Sequence, residues 1–255
     1  MENKKSSVEI TEAIQKVPEM LVIKGRQSTS DSFPAQPLYT DLRKIVKVKN
    51  KSTLPIKLPL DSFIRRFIKR SVDIFLSTII IITVLSWLVP LMALLIKFDS
   101  RGPVFFLQKR NKKDGKVFIC IKFRSMIENA EADTLQAAAD DERITRLGRF
   151  LRQHYLDELP QLFNVWVGDM SLIGPRPHMI SDNNKYEGLI EYYDYRHKVK
   201  PGITGLSQAM GYVGETRNVQ AMRDRVQLDL FYVRHWSFPL DLKILWHTFR
   251  KLGGF

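Results

Sequence analysis

Residues 145–177, TRLGRFLRQHYLDELPQLFNVWVGDMSLIGPRP, set two adjacent carboxylates, Asp157 and Glu158, between an arginine-rich run and a rigid turn. Arg146, Arg149 and Arg152 lie just upstream, and Gly174-Pro175-Arg176-Pro177 follows. Pro160 is tolerated in a first helical turn, where its missing N–H has no partner to lose. The spacing predicts a helix start with Asp157 near the N-cap and Leu159, Leu162 and Phe163 facing a core. Acidic residues in that position commonly cap a helix and complement its dipole. A helix start ringed by guanidinium groups is also a place for a phosphate. On these residues alone, both readings stand.

The totals narrow the field. The chain has 255 residues and a formal net charge of +13, with a sequence pI near 9.8. That length suits one medium domain with extensions. Such a basic surplus points to anionic partners: nucleic acid, an acidic membrane surface or phosphorylated substrates. The single cysteine, Cys120, excludes an internal disulfide framework and any multi-cysteine metal site. It falls in the apolar-alternating run 117–123 and reads as a small buried side chain. The histidines show no HxxxH or HxH spacing and read as separate residues, not zinc ligands.

Upstream, residues 1–58 are polar and lysine-rich, and they read as a disordered or partner-binding extension without chemistry. No apolar run follows the amino terminus, so no signal peptide is read there. Residues 74–96, IFLSTIIIITVLSWLVPLMALLI, carry no charge and would measure roughly 35 Å as a helix, enough to cross a bilayer once. Basic residues flank the run on both sides: Arg65, Arg66, Lys69 and Arg70 before, Lys97, Arg101, Lys109 and Arg110 after. If basic flanks stay on one face of the membrane, both ends want the same side. Pro90 offers a break at which the chain can turn back. The expectation is a re-entrant element over 59–98, with a straight crossing as the alternative. Asp73 lies one turn from Lys69 and Arg70, which would neutralise it.

Downstream, residues 104–109 and 117–123 around Asp114-Gly115 predict a β-hairpin. Residues 128–141 are rich in alanine and acid and predict a mobile helix or loop. The tail predicts two helices, near 222–234 and 240–251, with aromatics interleaved among basic residues. Such helices suit either a membrane interface or an ordinary core with a solvated face. The fold class is therefore α/β, more closely a helix-rich α+β, with residues 99–255 as one domain after the apolar run.

An apolar anchor, a basic face and a carboxylate pair among arginines permit one kind of chemistry. A carboxylate can attack phosphorus once the phosphate charge is neutralised. Mg²⁺ held by one or two carboxylates and phosphate oxygens supplies part of that neutralisation, and arginine forks hold the remaining oxygens. The bottom-up reading is phosphoryl-type transfer between a soluble phosphate donor and a membrane lipid.

Several blocks in order carry a resemblance: Lys69-Arg70-x-x-Asp73, Gly102-Pro103-Val104, Gln108-x-Arg110, KFRSM (122–126), LDELPQLFNV (156–165), SLIGPRP (171–177), RHKVKPGITG (196–205) and DLKI (241–244). Together they resemble the bacterial sugar transferases, the monotopic phosphoglycosyl transferases of polyprenyl-phosphate pathways. The resemblance implies a re-entrant helix, a cytoplasmic catalytic domain over 99–255 at the bacterial inner membrane, and Mg²⁺ dependence. It also implies a two-step mechanism. Asp157 would attack the β-phosphorus of a UDP-sugar and expel UMP; undecaprenyl phosphate would then open the phosphosugar-aspartyl intermediate. Glu158 would bind Mg²⁺ with Asp157 or accept a proton. Arg152 and Arg176 are the leading phosphate clamps, followed by Lys122, Arg124 and Arg110, while Arg196, His197 and Lys198 are read as facing the membrane surface.

The blocks 174–184, 196–205 and 211–216 look most like glucose-1-phosphate transferases of exopolysaccharide initiation, with galactose- or N-acetylhexosamine-1-phosphate as alternative cargo. One departure concerns the membrane helix, which the family usually breaks at a Ser-Pro pair. Here Ser86 is followed by Trp87, and proline arrives only at Pro90. Two rivals remain: a glycosyltransferase that moves a whole sugar and releases UDP, and a membrane-tethered basic binding protein. No helix-turn-helix or aromatic nucleic-acid motif is present, so nucleic acid is not expected as a partner.

Overall fold

The computed structural model describes residues 57–252 apart from 130, 131, 133, 134, 139, 140, 215 and 217. The polar extension expected over 1–58 thus lies almost wholly outside the described residues. The chain divides between Leu58 and Pro59, and the fold below is that of the second unit.

Its elements run as follows. Helix α1 (Phe63–Ile80) passes through a π-helical turn, Ile81–Leu85, into α2 (Ser86–Asp99). Strands β1 (Phe105–Asn111) and β2 (Val117–Phe123) follow, then α3 (Arg146–Gln153), a 3₁₀ turn Leu156–Glu158 and α4 (Gln161–Val167). Next come β3 (Ser171–Ile173), α5 (Ile180–Glu187), a 3₁₀ segment Tyr193–Lys198, β4 (Gly202–Thr204) and α6 (Leu206–Ala209). Helices α7 (Val219–His235) and α8 (Phe238–Leu252) close the fold. The two sheets have two strands each, which makes the unit helix-rich α+β as expected.

The expected break at Pro90 is absent, because Pro90 sits inside α2 and the helix runs on to Asp99. The irregularity comes one turn earlier, at the π-helical turn. A proline ring crowds the carbonyl four residues back, and a widened turn ahead of it relieves that crowding without breaking the rod. Side chains take up the carbonyls around this turn. Thr83 Oγ1 donates to Ile79 O at 2.7 Å, Ser86 Oγ to Ile82 O at 2.6 Å, and Trp87 Nε1 to Thr83 O at 2.9 Å. Backbone polar groups facing an apolar medium require such partners.

The 37-residue rod is long and apolar enough to cross a membrane and measures about 55 Å. From Asp73 onward one face is buried through Asp73, Ser77, Leu85, Leu88, Met92 and Ile96, while Phe63–Ile68 are exposed all round. The opposite face exposes Phe67, Phe75, Ile82, Trp87, Leu91, Leu94 and Phe98. Leu85, Leu88, Met92 and Ile96 join Phe123, Leu151 and Leu162 in a single hydrophobic cluster. The rod is therefore one wall of the core.

Polar contacts fix its amino-terminal half. Lys69 Nζ pairs with Asp241 Oδ2 at 2.7 Å. Arg70 donates to Val165 O at 2.5 Å and Trp166 O at 2.7 Å, the carboxyl-terminal carbonyls of α4. Asp73 Oδ1 accepts from Ser171 Oγ at 3.0 Å and from the Leu172 N–H at 2.9 Å. The expected neutralisation of Asp73 thus holds through the nearby Lys69 charge, without a direct bond, since Lys69 and Arg70 each bond to a different segment.

The hairpin follows its sequence reading, with Phe105 opposite Phe123 and Asn111 opposite Val117. Asp114 and Gly115 take positive φ at its tip (59° and 71°), the geometry an Asp-Gly turn favours. Asn164 ties α4 to the other edge of β2: its Nδ2 donates to Ile119 O at 2.7 Å and its Oδ1 accepts the Ile121 N–H at 3.0 Å. Cys120 is fully buried, as expected.

Strand β3 pairs with β4 in parallel, so that GPRP leaves the sheet beside the 202–205 segment. A Cβ on Gly174 would lie 2.5 Å from Lys200 O, and one on Gly202 would lie 2.1 Å from Gly174 N. Only glycine allows this approach, and it sets the height of Arg176 one residue beyond Pro175.

Of the two tail helices, α7 is a core element, burying Met222, Val226, Leu230, Phe231 and Val233. Helix α8 keeps an apolar face exposed through Leu242, Trp246 and Phe249 while burying Leu240 and Ile244. Among the described residues of 128–141, none is helical.

Candidate active site

A cleft of about 910 Å³ opens between the hairpin, the Leu156–Glu158 turn, the 174–178 turn and α7. Lys122, Arg152, Asp157, Glu158, Arg176 and His178 are among the side chains lining it. Tyr155 takes the left-handed conformation (φ 56°) and throws the chain into the 3₁₀ turn that carries both carboxylates. Helix α4 begins only at Gln161, with Pro160 at its N-cap. Asp157 is thus one turn ahead of the helix and does not cap it, so its carboxylate is free for other work.

The two acids differ sharply in their surroundings, although each is only 8% exposed. Glu158 is held from two sides. Its Oε1 accepts from Lys122 Nζ at 2.8 Å and from Arg176 Nη2 at 2.5 Å, and its Oε2 accepts from Arg176 Nη1 at 3.0 Å. Burial pushes its pKa up, but Arg176 and Lys122 prevail and hold it well below the ordinary carboxylate range. Asp157 has no hydrogen bond or ion pair among the described residues. Burial raises its pKa against the pull of Lys122, and the neighbouring Glu158 charge adds to the rise. Adjacent carboxylates with oppositely displaced pKa values signal divided roles.

The remaining basic candidates separate. Arg152, in the last turn of α3, lines the cleft, and its charge acts on both Asp157 and Asp141. Arg110 donates to Pro177 O and to Gln108 Oε1, the latter from Nε at 3.0 Å and Nη2 at 2.5 Å. It borders the cleft, but its fork is occupied, with one arm on the 176–178 turn and the other two nitrogens on Gln108.

Arg124 departs from expectation. Its Nη1 donates to Arg101 O at 2.6 Å, and its Nη2 donates to Ser100 O at 2.6 Å and Ser100 Oγ at 3.0 Å. A cation at open carbonyls just past a helix end is favourable. Arg124 thus lines the cleft while both its Nη groups lock the exit of α2.

Arg196 also departs from its reading as a membrane-surface residue. It is 2% exposed and pairs with Asp229 Oδ2 at 2.9 Å. Its Nη2 also donates to Arg176 O, while Nη1 reaches His178 Nδ1. One buried guanidinium thus grips the chain on both sides of Pro177. Burial, with the Arg196 charge beside it, keeps His178 neutral by holding its pKa well below the ordinary imidazole value. Sequence reasoning missed this role because nothing near Arg196 in the chain announces Asp229 as its counter-ion.

The donor set can be tested against Mg²⁺. Among the described residues, no group of three or more His, Cys, Asp and Glu side chains converges. Mg²⁺ is commonly held by one or two carboxylates with substrate phosphates and water. The unpaired Asp157 carboxylate and the second lone pair of Glu158 Oε2 fit that pattern.

With this geometry in place, comparison with known proteins is informative. The family model described as bacterial sugar transferase matches residues 64–254. The chain is 49% identical over 185 residues to the UDP-glucose:undecaprenyl-phosphate glucose-1-phosphate transferase of Klebsiella pneumoniae, covering 72% of this chain and 39% of that protein. It is 47% identical over 192 residues to the enzyme of the same name from Escherichia coli strain K12, covering 74% and 41%. It is 44% identical over 199 residues to the UDP-N-acetylgalactosamine-undecaprenyl-phosphate N-acetylgalactosaminephosphotransferase of Aeromonas hydrophila, covering 77% and 46%. The chain spans less than half the length of each of these relatives.

Proposed function

Because this chain belongs to the bacterial sugar transferase family, we propose that it transfers glucose-1-phosphate from UDP-glucose to undecaprenyl phosphate and releases UMP. The relatives' names support the donor and acceptor classes. The observation that carries the mechanism is the unpaired, buried Asp157 carboxylate beside a Glu158 whose charge is already balanced.

In the first step, an Asp157 Oδ attacks the β-phosphorus. The bond from that phosphorus to the bridging oxygen breaks, and UMP leaves with the oxygen and its electron pair. Arg152 and the solvent-facing side of Arg176 offset the negative charge as it moves. In the second step, a phosphate oxygen of the lipid attacks the same phosphorus and displaces Asp157, restoring the carboxylate. The nucleophile must be ionised, so its raised pKa places the acid limb of turnover above the ordinary aspartate range. Glu158 acts as a fixed anion that orients Lys122 and Arg176. Mg²⁺ held by Asp157 and Glu158 Oε2 would supply further charge neutralisation at the diphosphate.

We also place the apolar rod in one leaflet, on the cytoplasmic side, with both ends emerging on that face. Basic residues at both ends, and the burial of one side of the rod from Asp73 to Ile96, support this placement. In membranes, single cysteines at Asp61 and Asp114 should react with an impermeant thiol reagent from the same side; opposite sides would restore a straight crossing.

The reaction is tested with purified full-length protein, Mg²⁺, undecaprenyl phosphate and labelled UDP-glucose. UMP should appear, and denaturing the protein without acceptor should trap label at Asp157. Asp157→Asn should abolish both. UDP as product, or full turnover by that variant, would overturn the mechanism.

A further inference from the structure

Beyond Arg110, away from Glu158, the cleft contains polar groups that the phosphate chemistry does not use. The Arg110 guanidinium feels the charges of both Glu158 and Asp182. Asp182, in the first turn of α5, is half-buried. Its Oδ2 accepts one neutral hydrogen bond, from Gln136 Nε2 at 2.7 Å, and among the described residues it has no ion pair. Gln136 turns its other end to Thr216, whose N–H donates to Gln136 Oε1 at 2.9 Å. The Thr216 side chain is the telling group: the residue is 7% exposed, and among the described residues its Oγ1 has no partner. All three residues line the cleft.

A buried hydroxyl without a partner is costly unless something arrives to bond it. A carboxylate with spare lone pairs accepts from hydroxyls, and a threonine hydroxyl can donate or accept. The two are tied together by one amide that reads both, so they present paired acceptor and donor positions at fixed separation. The ligand chemistry that matches is a pair of neighbouring hydroxyls. A phosphate would be repelled by Asp182.

We propose that Asp182, Gln136 and Thr216 form a subsite for a vicinal diol of the nucleotide-sugar donor. This rests on the reading of the chain as a UDP-sugar enzyme. Vicinal diols of the donor occur on both the hexose and the ribose. Either way, the subsite fixes the donor beyond its diphosphate, and on the hexose it would decide which sugar is accepted.

The experiment uses full-length Asp182→Ala and Thr216→Val proteins, each checked for a wild-type melting transition. It measures kcat/KM for UDP-glucose and UDP-galactose, and inhibition by UMP and 2′-deoxy-UMP. Loss of one hydrogen bond to a charged or buried partner should lower kcat/KM for UDP-glucose by about 10–100-fold. If the glucose-to-galactose preference shifts while UMP inhibition holds, the diol is the hexose's. If UMP inhibition weakens and the difference between UMP and 2′-deoxy-UMP disappears, the diol is the ribose's. Should both variants keep kcat/KM, preference and inhibition within about twofold, well under the effect of a single hydrogen bond, the subsite is refuted while UMP release by the unmodified chain still stands. Absence of UMP release by the unmodified chain would instead sink the enzymatic reading, and the subsite with it.

Discussion

Exchanging each acid of the pair for its amide should move stability in opposite directions. Glu158→Gln keeps the shape but leaves Lys122 and Arg176 facing a neutral group. Removing one partner of a buried ion pair costs about 3–5 kcal/mol. The Glu158 side chain is 10% exposed, but that of Arg176 is 32% exposed, so the lower end, roughly 3 kcal/mol, applies. For a unit of this size that is a fall of about 6–12 °C in Tm. Asp157→Asn removes an unpaired buried charge and should gain about 1 kcal/mol, or roughly 2–4 °C, while turnover vanishes.

The two effects have defined pH dependences. Asp157 has a folded pKa raised above 3.8, so its favourable term is complete below that value and lost as pH rises through the folded pKa. The gain from Asp157→Asn therefore opens with rising pH and closes in acid. Glu158 is held well below 4.5, so its stabilisation is full above 4.5 and lost as pH falls toward the folded pKa. The deficit of Glu158→Gln should be complete at pH 7 and shrink on acidification. Thermal melting of detergent-purified proteins from pH 4 to 8 reads both. If Asp157→Asn melts below the parent at neutral pH while Glu158→Gln melts with it, the division of roles drawn from the hydrogen bonds is wrong.

Other outcomes follow from single contacts. Arg124→Met should lower stability by about 2 kcal/mol through lost charge-assisted hydrogen bonds, with KM for the donor unchanged; a rise in KM alone would return Arg124 to the phosphate clamps. Arg196→Met combined with Asp229→Leu should keep Tm near the parent's, since a buried pair can be replaced by apolar groups at little cost. The same double variant should lose about tenfold in kcat, because a shift in a clamp that carries Arg176 is felt at the reacting centre; unchanged kcat would make the pair purely structural. Gly174→Ala should yield no folded protein, as its Cβ would sit 2.5 Å from Lys200 O. Chelation of Mg²⁺ should suppress UMP release by at least about 100-fold, reversibly on re-addition, on the scale of a transition-state charge left unmasked.

Much of the fold was legible because its causes are local. The Asp114-Gly115 tip and the alternation of 117–123 carry the hairpin, and the apolar periodicity carries both tail helices. The Asp157–Glu158 pair stood out for the company it keeps in sequence. What could not be read were long-range partnerships. Arg124 and Arg176 look alike in the chain and both line the cleft, yet one bonds a helix exit and the other bonds Glu158. Lys69 and Arg70 sit a turn from Asp73 but bond to Asp241 and the α4 carbonyls instead. Pro90 was misread as a break because its effect depends on whether the preceding turn can widen, and Ser86, Thr83 and Trp87 make that possible.

The rod formed by α1 and α2 is usually thought of as an anchor, and anchors can be cut. Here Leu85, Leu88, Met92 and Ile96 share their cluster with Phe123, Leu151 and Leu162, so no hinge separates attachment from catalysis. Trimming the hydrophobic segment to obtain a water-soluble enzyme would strip away a side of the catalytic interior. If the exposed face of the rod meets a bilayer, as proposed, folding and insertion share one set of contacts, and turnover should report on both.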